Sequence, residues 1–384
     1  MASLKESGSG DVMKRQAVHA TPSARRRCSV GGVVRLSLGV GFAAGFAVAA
    51  VLWRRQVRAL VRRAKPYDRK PSRVNNPALI INSWSGDGKA EKFALADEAR
   101  KANVRPIMLE RGDDLVRLAH DAVSAGADAI GMAGGDGSLG LVAGVAVERD
   151  VPFFCVPIGT RNHFALDLGL DRDNPLTALD ALRDGDEILI DFGVANGRPF
   201  LNNVSFGFYA QAVHREEYRA EKAAILADAI TRAASDVNEQ AALRYVTPDG
   251  RTHERAPLLL VSNNVYKFSG HPDYGRRLRL DSGKLGIGAL TNLPEGDITK
   301  MSLDQLLGLQ QWEATSFGIE SEEEILAGLD GEALEFESPL TISMHPKGLR
   351  VLVPAGTRPG YVPTGEVVAA KLLDVAETLG FGDQ

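Results

Sequence analysis

The decapeptide GMAGGDGSLG, residues 131–140, decides how the chain is read. An apolar run, DAIGMAG (128–134), leads into it, and SLGLVAGVAVE (138–148) leads out with helical spacing. The glycines therefore sit where a buried strand turns into a helix. Gly134, Gly135 and Gly137 tolerate positive φ and let a backbone come within contact distance of a bulky anion. Asp136 in the same turn repels a bare phosphate, so the two features together point to a phosphate that arrives with a metal ion. Ser138 is placed to cap the helix that follows.

Outward from this turn the pattern repeats on both sides. ALIINS (78–83) reads as a buried strand before a helical stretch at 89–102, and VRPIML (104–109) as a strand before DDLVRLAHDAV, whose apolar residues fall on one helix face. VPFFCVP (151–157) is again strand. Strands alternating with helices predict a parallel sheet covered on both faces, with ligands at the carboxyl ends of the strands. Near residue 186 the rhythm changes. Asn196-Gly197 and Asp249-Gly250 lie between apolar runs and signal hairpins, and LTISMH and LRVLVP alternate in strand fashion. The second half is therefore expected to be sheet-rich, with helices near 215–238 and 302–311 and a terminal amphipathic helix that returns to the first half.

Charge is distributed unevenly over the 384 residues. The net charge is −4, yet residues 1–75 carry 16 Lys and Arg against 3 Asp and Glu, leaving 29 against 46 for the remainder. A folded part with an acidic balance is not a general nucleic-acid binder, because it lacks the cations to neutralise a phosphate backbone. Two cysteines, Cys28 and Cys155, encode neither a disulfide framework nor a thiolate metal site. The basic segment surrounds LSLGVGFAAGFAVAAVLW (36–53), an uncharged run that as a helix would be about 27 Å long and long enough to span a bilayer. Arginines flank it on both sides, so charge counting gives little preference for either orientation. A secretory signal and an interfacial helix are the alternatives. Residues 64–77, basic and proline-bearing, read as a tether.

Three further stretches share the character of the central turn. In INSWSGDGK, Asn82, Ser85 and Gly86 end a strand and open a helix, a place suited to an anion. In PIGTRNHFALDLGL (157–170), Gly159, Thr160 and Asn162 form a polar turn at another strand end. In GLDGEALEF, Asp330-Gly331-Glu332 sits at a turn of the sheet-rich half. Each alone is an ordinary turn; the order of all four carries the information.

That order, GGDG, then GTxNxFA, then an aspartate in a strand, then LDxG, then DGE, resembles the diacylglycerol kinase catalytic family, which is distantly related to NAD kinases. The resemblance covers roughly residues 76–355 and implies an α/β ATP-binding domain (76–188) followed by a β-sandwich-like lipid-substrate domain (189–355). Before these would come a basic N-terminus (1–35), a transmembrane helix (36–53) and a basic linker (54–75), and after them a C-terminal segment (356–384). It implies ATP as co-substrate and Mg²⁺ as the metal. Asn82, Ser85, Gly86, Gly134, Gly135, Gly137, Ser138, Gly159, Thr160 and Asn162 would cradle the nucleotide. Asp136 would act through Mg²⁺, Asp191 would organise the metal and charge network, and Asp281 would be a metal ligand. Glu332 would be the general base that takes the proton from a lipid hydroxyl.

Three positions depart from the family pattern. His163 stands where many members have aspartate, Ser282 replaces the second acid of the LDDG turn, and Ser83 replaces a proline. The expectation is a membrane-anchored, ATP-dependent lipid kinase whose catalytic part is cytoplasmic, whose basic flanks meet anionic lipids, and whose acceptor is diacylglycerol. Sphingoid bases, ceramide, phosphatidylglycerol and polyprenyl alcohols stay open as acceptors, and a homodimer stays open as the assembly. The competing readings are a non-catalytic nucleotide-binding regulator and a NAD kinase-like enzyme.

Overall fold

The computed structural model describes residues 67–207, 210, 242–267, 276–290 and 310–360. The expected transmembrane segment (36–53), the helix near 215–238 and the terminal helix lie outside the described residues. So does the helix near 302–311, except for its last two residues, which open a strand. Among the described residues no helix is long and apolar enough to cross a membrane.

The first half runs β1 (Arg69–Pro71), β2 (Pro77–Ile81), α1 (Lys89–Lys92), α2 (Leu95–Lys101), β3 (Arg105–Met108), α3 (Leu115–Ser124), β4 (Ala129–Gly134), α4 (Asp136–Glu148), β5 (Phe153–Pro157) and α5 (His163–Asp167), then a 3-10 helix, Pro175–Leu182. β2, β4 and β5 are buried along their whole length, as unbroken apolar runs predict for central parallel strands. They pair in the order β3-β2-β4-β5, all parallel. α3 begins where Asp114 accepts hydrogen bonds from the backbone N–H groups of Val116 (3.0 Å) and Arg117 (3.1 Å), a cap that stabilises the helix by about 1 kcal/mol. α3 packs on α4 and α2 on the 3-10 helix, and each pair lies against the strands.

The second half is antiparallel: β6 (Asp186–Ala195), β7 (Arg198–Phe200), β8 (Asn203–Gly207), β9 (Arg244–Val246), β10 (Thr252–His253), β11 (Leu258–Asn263), β12 (Tyr266–Lys267), β13 (Arg276–Arg277), β14 (Leu285–Leu290), β15 (Gln310–Ala314), β16 (Ser316–Glu320), β17 (Ile325–Leu329), β18 (Glu332–Phe336) and β19 (Leu340–Val353). The Asn-Gly and Asp-Gly hairpins form, as β6–β7 and β9–β10. A six-stranded sheet, β15-β14-β11-β8-β17-β18, shares an apolar core with the ends of β6 and β19 and with β7, β9 and β16. Two sheets around one core form the sandwich.

β6 and β19 serve both halves. Ile188, Ile190 and Phe192 of β6, with Leu349, Val351 and Val353 of β19, fill the core of the parallel sheet. Ala195, Leu340, Ile342 and Met344 at the other end of the same ribbon fill the sandwich core. The register shifts between His345 and Leu349, where the ribbon passes from one core to the other. β19 also pairs in parallel with β5, so the boundary expected at 188/189 falls inside a strand of a continuous sheet.

The tether expected over 64–77 is in part folded. β1 adds antiparallel to the edge of β6, with Arg69 ion-paired to Asp186 at 2.6 Å. The Tyr67 hydroxyl accepts a hydrogen bond from the Leu280 N–H at 2.9 Å, under the Arg279 guanidinium. Burial pushes the Tyr67 phenol up to about 12.

Candidate active site

The turns that follow β2, β4 and β5 meet because their strands are adjacent and parallel. The Asn82 N–H donates to the Ala133 carbonyl at 2.9 Å, and the Gly159 N–H to the Gly134 carbonyl at 3.1 Å, so the turns after β2 and β5 are both tied to the end of β4. Gly86, at φ +63°, lies so close to the third turn that a Cβ there would sit 1.8 Å from the Ile158 carbonyl oxygen. A Cβ on Gly159 would meet the Gly135 Cα at 2.6 Å, and one on Gly135 would be 3.9 Å from the Ser85 Oγ. The predicted cradle residues Asn82, Ser85, Gly86, Gly134, Gly135, Gly137, Gly159, Thr160 and Asn162 thus occupy one locus.

Two members of this cradle carry unmatched acceptors. Asn162 is fully buried in a left-handed conformation; its amide N–H donates to the Gly159 carbonyl at 2.6 Å while its Oδ1 has no partner. The buried Oδ1 of Asn82 is unmatched too. Buried acceptors without donors are costly, and a bound nucleotide's hydroxyl, or a water carried on its metal, would relieve them. That fits a polar ligand at this locus.

Ser138 is not the cap of α4. The helix starts two residues earlier, with Gly135 at the N-cap and no side-chain cap bond, and Ser138 lies within the first turn. Asp136 serves another helix: its two oxygens accept from the backbone N–H groups of His163 (3.1 Å) and Phe164 (3.0 Å), the first residues of α5. The aspartate among glycines therefore clamps the GTRN turn against the GGDG turn.

Glu332 arrives from the other half, across the tight turn that joins β17 to β18. It is exposed and lies against Gly137, where a Cβ would be 2.5 Å from its Cγ and 3.0 Å from its Oε1. The turn is fixed by Asp330. This buried carboxylate accepts from the backbone N–H groups of Leu201 (2.8 Å), Asn202 (2.8 Å) and Asn203 (3.0 Å), and its own N–H donates to the Asn203 carbonyl at 2.9 Å. Burial pushes the Asp330 carboxyl up to about 7; the three N–H groups work against that rise, and the Asp136 charge adds to it.

The aspartates assigned to metal part company. Asp191 is fully buried and held by three of the chain's own donors, the N–H groups of Gly283 (2.6 Å) and Lys347 (2.7 Å) and the Asn264 amide (2.9 Å). Burial raises its pKa against the pull of those N–H groups. Asp281 is held by Arg279 through two bonds of 2.6 Å, so an arginine fork takes the place of a cation beside the LDSG turn. Among the described residues no three His, Cys, Asp or Glu side chains converge on a point that could hold a metal ion. Asp136, beside the cradle, is also held by the chain's own N–H groups, and only the lone pairs they leave would be open to a phosphate-bound Mg²⁺.

Sequence reasoning gave no role to Asp330, Asn202, Asn203, Asp167 or Arg277. Asp330 was in view as part of DGE, but its partners lie 127 to 129 residues away and leave no local signal.

Comparison with known proteins agrees with the geometry. Residues 76–195 match the model of the diacylglycerol kinase catalytic domain. The "Probable lipid kinase YegS-like" of Pseudomonas aeruginosa (strain UCBPP-PA14) is 30% identical over 296 residues, covering 73% of this chain and 94% of that one. The diacylglycerol kinase of Mycobacterium tuberculosis (strain H37Rv) is 35% identical over 131 residues, 31% of this chain and 40% of that one. A solved chain from Bacillus anthracis (strain Sterne), provisionally described as a diacylglycerol kinase, shares the fold with a TM-score of 0.58 at 20% identity, covering 77% of this chain and 99% of that one. The chain belongs to the diacylglycerol kinase catalytic-domain family of lipid kinases. It is a kinase, and its co-substrate is ATP.

Proposed function

We propose that this kinase transfers the γ-phosphoryl group of ATP to the hydroxyl of a membrane lipid, diacylglycerol in the first instance, to give phosphatidic acid and ADP. The observation that carries this is the contact of Glu332 with Gly137, which sets a carboxylate from the sandwich half beside the glycine-rich cradle of the parallel half. Glu332 takes the proton as the lipid oxygen attacks phosphorus, and ADP leaves in line. Backbone N–H groups of the three turns and of the start of α4 hold the phosphates, with Ser85 and Thr160 beside them and Asn82 and Asn162 orienting the nucleotide. Mg²⁺ bound to the phosphates would be held by Asp136 and would neutralise their charge. Asp136 also keeps the GTRN turn closed, which fixes the cradle before substrate binds.

Residues 36–53 would anchor the chain, and the arginines at 25–27 and 54–63 would lie against anionic headgroups on the cytoplasmic leaflet, where ATP is present. A tether over 64–77 would keep the site near its acceptor.

The test is phosphate transfer from γ-labelled ATP to diacylglycerol, sphingosine, ceramide, phosphatidylglycerol and a polyprenol in mixed micelles, with the full chain and its Glu332→Gln variant. Label on diacylglycerol that disappears in the variant supports the proposal. Label on another alcohol corrects the acceptor, and label on none rejects the activity.

A further inference from the structure

We infer that Arg277 is a positioning residue that holds the general base in register with the nucleotide cradle, an inference that rests on the kinase reading above. Arg277 is fully buried, and four of its N–H bonds are committed. Nε donates to Asp167 at 2.7 Å, Nη2 to the Asn202 side-chain oxygen at 2.9 Å, and Nη1 to the carbonyls of Asn263 (2.9 Å) and Leu201. Its plane lies near the Tyr266 ring, 5.7 Å from the centroid.

These partners close a ring. Asp167 ends α5, whose first N–H groups bind Asp136. Asn202 and Leu201 give their N–H groups to Asp330, two residues before Glu332. Glu332 lies against Gly137, the neighbour of Asp136. The circuit Asp136, α5, Asp167, Arg277, Asn202, Asp330, Glu332, Gly137 has one member that touches both halves with a rigid multi-donor fork, and that member is Arg277.

Stability alone does not account for it. A buried ion pair such as Asp167–Arg277 pays heavy desolvation, and well-packed apolar residues often replace such pairs without loss. What apolar side chains cannot supply is a directional link from α5 to the Asn202–Asp330 turn. Misplacing a catalytic group by about 1 Å can cost on the order of 10²-fold in rate.

The experiment compares the full chain with Asp167→Leu/Arg277→Met, which removes both charges together, and with Asn202→Ser, which cuts one link and leaves the ion pair. Melting temperature, KM for ATP, kcat and backbone hydrogen exchange without nucleotide are read on each. Expected for the double variant are a lower melting temperature, because the Asn202 side-chain oxygen and the Leu201 and Asn263 carbonyls lose a donor, together with a KM for ATP within about 3-fold, a kcat lower by roughly 10²-fold when read well below that melting temperature, and faster exchange at residues 330–332. Asn202→Ser is expected to show the same split at about 10-fold, with faster exchange at 330–332 and none at 163–167. A double variant that folds and keeps parental kcat and exchange overturns the inference. Should the double variant not fold, unchanged kcat and exchange in Asn202→Ser overturn it instead. Were the parent itself to label no lipid, the kinase reading would fall, and the exchange at 330–332 would still decide whether Arg277 holds that turn.

Discussion

The two halves of the site are held in place by opposite means. In the parallel half, the turns after β2, β4 and β5 are shaped by backbone lying against backbone, with the Gly86 α-carbon pressed on the Ile158 carbonyl. In the sandwich half, the turn that bears Glu332 is held by a buried charge, Asp330, on three backbone N–H groups. At Gly86 the first arrangement has no room for a methyl group, and its one charged clamp, Asp136, closes a different turn. The second tolerates no change of donor into acceptor. Substitutions that add volume and substitutions that change only polarity should therefore break different halves.

The largest effect is expected from polarity at the reacting group. Glu332→Gln keeps shape and removes the base, and general-base catalysis is worth about 10²–10⁴-fold, so kcat should fall by that order with ATP affinity unchanged. Nucleotide binding measured beside the rate would expose a parallel loss of affinity, which would mean that Glu332 belongs to the cradle instead. Volume in the other half comes next. Gly86→Ala forces a left-handed alanine, at ~1–2 kcal/mol, and displaces the Ile158 carbonyl, at ~1–3 kcal/mol. Thermal unfolding should show that loss, and ATP binding should weaken with it. A variant as stable as the parent would mean that the three turns are not packed as described.

The same contrast explains what the sequence shows and what it hides. The parallel half is legible because its signals are local: apolar runs, glycines at strand ends, the helix face of 115–123. Hairpins at Asn196-Gly197 and Asp249-Gly250 are legible for the same reason. The β6–β19 ribbon joins segments about 150 residues apart, and no local pattern states that one strand feeds two cores. The sites of Asp330 and Arg277 are hidden likewise, since a lone aspartate in a turn or an arginine in a basic run is ordinarily solvated. β1 read as tether because its own composition is basic and proline-bearing; its strand character comes from the open edge of β6. The partners of Asp191 and Asp281, namely Arg279, Asn264 and two backbone N–H groups, were not legible in the sequence because most of them come from distant segments.

Polarity at Asp330 should have an intermediate effect. An asparagine oxygen can keep the bonds from Asn202 and Asn203, but its NH₂ then faces the Leu201 N–H, a mismatch of ~1–3 kcal/mol. Asp330→Asn should lower kcat about 10-fold by loosening the Glu332 turn. It should also change the pH dependence of stability. The folded pKa of about 7 lies above the unfolded value near ~3.9, so the fold retains a proton that the unfolded chain has lost between these values. The Asp330 contribution is then complete below about pH 4 and fades as pH rises to about 7. The parent's melting temperature should accordingly fall relative to that of Asp330→Asn across this window. A constant difference between the two would rule out the raised pKa.

The smallest and most discriminating change is Gly137→Ala, where the halves touch. Gly137 lies in the first turn of α4, and alanine is favoured over glycine within a helix by roughly 0.8–1 kcal/mol, so stability should hold or rise. The added Cβ falls 2.5 Å from the Glu332 Cγ, so the exposed side chain must turn from its root, which takes its carboxylate out of the cradle. Transfer should slow about 10-fold while ATP binding is kept. If the methyl acts only by moving Glu332, then in a chain that already carries Glu332→Gln it should cost nothing further, because two changes acting through one group do not add. A full additional 10-fold loss in the double variant would place the effect on the phosphates themselves, and would make Gly137 part of the cradle alone.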